Sequence, residues 1–174
     1  MPWVRPLFSP LAVGLWLILV LSGLLLAAQH GQEISGNLTS RLLAADNLLL
    51  MGTVYLLMKL FHEASHGLAV KHWGGGVHQV GVLFLALIPM PYVDASAANG
   101  FSERRARIAV SAAGIMTEMV LAVLGLWLWL VSGPGWLNAA AYNMMLIGGL
   151  STLLVNGNPL LRFDGYYIFA DLID

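Results

Sequence analysis

The chain alternates long apolar stretches with short polar breaks. The first, Leu11 to Ala28, makes a helix of about 27 Å, close to the roughly 30 Å hydrocarbon core of a bilayer, and is predicted to be a first span. A cleaved signal peptide is the rival reading, but Arg5 alone makes a poor basic n-region and the small-residue site near Ala28 is indistinct. A second span is predicted from about Leu48 to Val70, and it carries Lys59, His62, Glu63 and His66 within a helix rich in Leu, Met and Val. Each ionised group near a bilayer centre costs about 2.5 to 3.5 kcal/mol on the insertion scale, so a cluster at this depth requires a partner such as a metal or water.

Trp73-Gly74-Gly75-Gly76 breaks that helix and reads as a flexible joint, after which Val80 to Ile88 is apolar but too short to span. It is predicted to be a re-entrant segment or membrane-buried strand shielded by protein, ending at a turn over Pro89-Met90-Pro91. Loop chemistry follows from Asp94 to Arg107. A third span, about Ile108 to Val131, and a fourth, about Leu137 to Val155, are joined at Ser132-Gly133-Pro134-Gly135 into a helical hairpin. The predicted class is an all-α polytopic membrane protein of about four transmembrane helices, with a short re-entrant or membrane-buried β segment near residues 78–93. The chain ends at the opening of what reads as a further helix, so a fragment truncated on its C-terminal side is expected.

Composition and charge sharpen this picture. The 174 residues are 59% hydrophobic and 10% charged, with a net charge of -1. That apolar share exceeds that of an ordinary soluble domain, and no basic stripe suits nucleic acid. Arg5, Lys71, Arg104, Arg105, Arg107 and Arg162 fall on one side of the predicted spans, with only Arg41 opposite. The positive-inside rule then puts the N-terminus and the Arg104 to Arg107 loop in the cytoplasm and residues 29–46 outside. With no cysteine, thiolate metal sites and cysteine nucleophiles are excluded, leaving His, Asp and Glu as strong ligands.

His62-Glu63-Ala64-Ser65-His66 has the H-E-x-x-H spacing. Residues i and i+4 share a helix face, so both imidazoles can reach one zinc ion, while Glu63, one step round, is placed to act as general base on a water. A chance pairing on an amphipathic face is the plain alternative, and it accounts poorly for such groups in so apolar a helix. A catalytic zinc takes three protein ligands. Candidates for the third are His72, His78, Asp94, Glu118, Asp164, Asp171 and Asp174. Asp164 follows a Pro- and Gly-broken stretch, Asn156 to Gly165, that can leave a carboxylate facing inward; spacing alone equally allows it to be a helix N-cap.

Two separated motifs, Phe61-His62-Glu63-Ala64-Ser65-His66-Gly67 and the Asn-x-x-Pro-x-x-x-x-Asp-Gly pattern of Asn156, Pro159, Asp164 and Gly165, resemble the site-2 protease family of intramembrane zinc metalloproteases. The likeness covers roughly Leu48 to Asp174. It implies one zinc per chain, Asp164 rather than Asp94 or Glu118 as third ligand, and Asn156 as a residue that places the substrate strand or its carbonyl. It also implies a single membrane-embedded domain over 1–174, with 1–46 as first span and outer loop and 47–174 as catalytic core. Family members often carry Gly-Pro-x-x-Asn where this chain reads Gly114-Ile115-Met116-Thr117-Glu118. Glu118 can back a zinc-bound histidine, brace Lys59 or relay a proton. This variant, with Pro91-Tyr92-Val93-Asp94, is similar to a bacterial branch of peptide zinc metalloproteases that resemble partners of peptide-export systems.

The expected function is hydrolysis of a membrane protein or peptide in the bacterial cytoplasmic membrane, with an unwound substrate added to a strand edge near residues 80–88. The rival class is a non-catalytic metal-binding membrane scaffold beside a peptide exporter, which needs the histidines but not Glu63. A transporter subunit fits less well, since neither paired broken helices nor a repeat is present.

Overall fold

A computed structural model describes residues 5–42, 44–85 and 88–173. A short 3₁₀ turn, Arg5–Phe8, leads into α1 (Pro10–Gln29), α2 (Gly31–Leu42) and α3 (Ala45–His72). Strands β1 (Val80–Leu85) and β2 (Ile88–Val93) follow, then α4 (Arg104–Val131), α5 (Trp136–Ser151), a π-helical turn (Thr152–Asn156) and α6 (Asp164–Ile173). Among the described residues, α1, α3, α4 and α5 with its π turn are long and apolar enough to cross a membrane. The stretch predicted as an outer loop is largely helical, because α2 occupies Gly31–Leu42.

Local chemistry sets the boundaries. Ser9 caps α1, its hydroxyl oxygen accepting from the Ala12 amide at 3.2 Å, and Pro10 occupies the first helical position, where its missing N–H goes unneeded. α3 stops at a left-handed Gly74, φ +84°. The Gly75 amide donates to Val70 O (2.9 Å) and the Gly74 amide to Lys71 O (3.3 Å), the paired bonds of a Schellman motif. The glycine run expected to be a flexible joint is therefore a defined helix stop. Only glycine takes that φ without strain, and a Cβ on Gly75 would sit 2.7 Å from Val70 Cγ1.

The buried stripe of α3, including Val54, Met58, His62, His66 and Ala69, recurs at helical spacing and faces α4. α4 and α5 pack closely because Gly125 lies against the backbone of Ala141 and Met145, and Gly148 lies against Glu118 O and Ala122 Cβ. Small residues let such helices approach where water supplies no hydrophobic drive. α1 docks on α4 through Trp16, whose indole N–H donates to Met116 O at 3.0 Å.

β1 and β2 form an antiparallel hairpin in which Val80 pairs with Val93 and Leu85 with Ile88; residues 86–87 lie outside the described part. This corrects the expected turn at Pro89-Met90-Pro91, which lies within β2, and moves Ile88 into the second strand. Pro89 and Pro91 oppose Phe84 and Val82, pairs of one parity. Lacking N–H, they fit a strand only where the amide points away from the partner, so β2 turns that edge outward. Val93 shares the parity, and its amide does point away from β1, onto Glu63.

Candidate metal centre

α3 carries His62 and His66 one turn apart on its buried face, and the break after α5 returns the chain so that α6 begins at Asp164 beside them. The two Nε2 atoms are 3.1 Å apart. Asp164 turns Oδ2 to His62 Nε2 at 3.2 Å and Oδ1 to His66 Nε2 at 3.4 Å. The two rings meet different oxygens of Asp164, and one ligand atom from each of the three residues lies within 4.8 Å of the others, close enough for the three to share one ion. Among the described residues this buried group is the one set of His, Asp and Glu side chains that can hold a metal ion. Asp164 Oδ2 has no hydrogen-bond partner, which fits an oxygen built to meet a cation. Burial pushes the Asp164 carboxyl upward, but the close His62 and His66 rings outweigh it and hold the group well below the ordinary carboxylate range.

The rings are oriented from behind. His66 Nδ1 lies 2.8 Å from Val110 O, and a carbonyl only accepts, so Nδ1 bears the proton and Nε2 keeps its lone pair. Behind His62 stands Glu118, fully buried, with Oε1 3.1 Å from Nδ1, though not aligned as a straight hydrogen bond. The same oxygen accepts from Lys59 Nζ at 2.6 Å, and Oε2 accepts from Thr152 Oγ1 at 2.9 Å and Asn156 Nδ2 at 2.7 Å. Asn156 therefore meets Glu118, not the metal group. The π turn brings Thr152 and Asn156 onto one carboxylate oxygen, and such turns recur at functional sites.

Glu63 is not part of that group. Its Oε2 accepts from the Val93 amide at 3.1 Å, and it lines a cavity of about 430 Å³ with His66, Asp94, Asn99, Arg107 and Asp164. The other candidate acids and histidines are not part of that group among the described residues. Asp94 accepts from the Ser96 amide at 3.0 Å, and hydrogen bonding from Ser96 lowers its carboxyl pKa. Asp171 receives Arg107 Nε at 2.6 Å, and Arg104 donates to the Asp171 and Leu172 carbonyls, holding α6 against α4. His72 stacks on Phe8 with ring centroids 4.5 Å apart, and His78 is exposed beside Gly76. Asp174 lies outside the described residues.

Three contributors escaped sequence reasoning. Gly114 makes room for both rings, since a Cβ there would lie 2.6 Å from Nε2 of His62 and of His66. Its appearance in a Gly-x-x-x-Glu element was the available signal. The Val110 carbonyl and the Val93 amide are backbone groups with no side-chain signature. Gly165 also has a steric reason, as a Cβ would fall 2.5 Å from the Gly157 carbonyl group, so Asp164 reaches its place only with glycine next to it. Compared with protein-family models, curated proteins and solved structures, the chain matches none.

Proposed function

We propose that this chain is a multi-pass zinc endopeptidase of the site-2 protease kind, working within a bacterial cytoplasmic membrane. The observation that carries the reading is the convergence of His62, His66 and Asp164, with Glu63 held by the Val93 amide in the cavity beside them. Two imidazoles and one carboxylate are the ligand set of an open zinc site, and the chain has four helices long and apolar enough to cross a membrane. When bound there, zinc supplies Lewis acidity, polarising a carbonyl and lowering the pKa of water to about 7.

The chain's own residues do the rest. Glu63, steadied by the Val93 amide, takes the proton of the attacking water on one carboxylate oxygen and returns it to the departing amine. His66, with Nδ1–H on Val110 O, offers only its Nε2 lone pair. An unwound peptide can add to the hairpin at β1, where Val80, Val82 and Phe84 share the parity whose amides and carbonyls point away from β2. The exposed side chains of that strand suit an apolar substrate segment.

The test is a paired measurement on purified protein in detergent. One zinc per chain is expected in both wild type and Glu63→Gln, with cleavage of a membrane-peptide library lowered by about 10²–10⁴-fold in the variant. Equal cleavage by the two proteins removes Glu63 as the base. Zinc without cleavage in the wild type leaves the metal-binding scaffold as the better reading.

A further inference from the structure

Lys59, Glu118, Thr152 and Asn156 form a buried polar rod behind His62, and the hydrolytic scheme leaves it without a task. We propose that Glu118 is a positioning residue for the metal centre: backed by Lys59, Thr152 and Asn156, it holds His62 as the Nδ1–H tautomer with its Nε2 lone pair turned toward Asp164 and His66. The inference rests on the metal-centre reading and names what fixes one of its ligands.

The rod's chemistry points one way. A buried ion pair is poor evidence of stability, since apolar residues of similar volume often serve as well or better. A Lys–Glu pair in a chain this apolar therefore calls for another use. Charges close within the rod, where Lys59 Nζ balances the Glu118 carboxylate at 2.6 Å. Glu118 has both oxygens committed as acceptors, Oε1 to Lys59 and Oε2 to Thr152 and Asn156, so its position is fixed from two segments, α3 and the π turn. With Oε1 3.1 Å from Nδ1, a carboxylate facing that nitrogen favours N–H there. Nδ1 makes no aligned hydrogen bond among the described residues, so this carboxylate contact is the polar group that faces it.

The two ligand rings thus differ in what stands behind them. His66 leans on a peptide carbonyl and His62 on a carboxylate, which raises the basicity of the ligand it supports. The same contacts reassign Asn156. Its Nδ2 is committed to Glu118 Oε2 and also lies 3.4 Å from Ser151 Oγ, so it acts through Glu118 and not on a substrate carbonyl.

The deciding variant is Lys59→Met/Glu118→Leu, which removes both charges and the acceptor together and so leaves no lone buried charge. Histidine-labelled protein in detergent is read by ¹⁵N NMR without metal, and zinc affinity is read by chelator competition. Wild type is expected to show His62 as Nδ1–H; the double variant is expected to show mixed tautomers at His62, with His66 unchanged. Zinc affinity is expected to fall about 10–100-fold in the double variant, with Glu118→Gln, which keeps an acceptor oxygen, between the two. Should the double variant fail to fold, Thr152→Val with Asn156→Ala gives the same readout through a loosened carboxylate, with a smaller tautomer change. An unchanged His62 tautomer in the folded variant overturns the proposal. The tautomer measurement stands apart from zinc: a wild type that binds no zinc sinks the metal-centre reading, while the metal-free spectra still decide what Glu118 does.

Discussion

Two buried polar clusters tie α3 to its neighbours, one to α5 and the other to α6, and they are built on opposite principles. Near the start of α3, Asn47 and Asn143 exchange side-chain hydrogen bonds at 3.2 and 2.8 Å, and Asn47 also donates to Arg41 O at 2.9 Å. Arg41 Nη2 donates to Asn138 Oδ1 at 2.8 Å and its guanidinium lies over the Tyr142 ring, whose hydroxyl donates to Ile34 O at 2.6 Å. Asn138 Nδ2 turns to Trp129 O at 2.9 Å. Each amide finds a partner, as a structural cluster requires. Two-thirds along the same helix, the His62, His66 and Asp164 group leaves Asp164 Oδ2 without a hydrogen bond and points two Nε2 atoms at each other. A cluster that satisfies itself fastens helices together; the His62, His66 and Asp164 group is one that could hold a metal ion.

That contrast can be broken most sharply at Asp164. Asp164→Asn is expected to weaken zinc binding by about 100-fold or more, with Asp94→Asn retaining it, because only the former meets both rings. Metal analysis of the purified variants decides the matter, and full zinc occupancy in Asp164→Asn defeats the assignment. Gly114→Ala is expected to lose zinc to a similar degree, about 100-fold, with every ligand present, since its methyl occupies the space of both rings. If zinc affinity survives there, the packing of α4 against the rings is not what shapes the site.

A smaller effect is expected at the base. Val93→Pro removes the amide that holds Glu63 at a position whose parity already accepts proline at 89 and 91. Turnover is expected to fall about tenfold, the worth of roughly one hydrogen bond to a charged group, with zinc affinity unchanged. Unequal effects on zinc and turnover are the point of the measurement; parallel losses mean that the hairpin supports the whole site. The smallest change belongs to the satisfied cluster. Asn143→Ala is expected to lower stability by about 0.5–2 kcal/mol, read by denaturation in detergent, and to leave zinc affinity untouched. Loss of zinc in that variant ends the distinction between the two clusters.

Hydropathy alone located the four long helices, because each apolar run is longer than a turn or strand can use and is bounded by Gly, Pro or charge. The i, i+4 pairing of His62 and His66 was equally legible, since helix geometry puts those positions on one face whatever surrounds them. The strand character near Val80 could be read from length, but the path of the hairpin could not: proline suggests a turn until the pairing shows that its missing N–H faces outward. Composition marked Arg41 as the lone basic residue opposite the others, with no hint that Asn138 and Tyr142 would take it up.

The carboxylate that joins His62 and His66, the carboxylate behind His62 and the amide on Glu63 belong to the tertiary structure. Spacing along the chain fixes distances only within one helix, and Asp164, Glu118 and Val93 each reach α3 from a different element. Gly114 makes the same point by an absence: its role is the volume it does not fill, which becomes visible once two imidazoles stand where a Cβ would be.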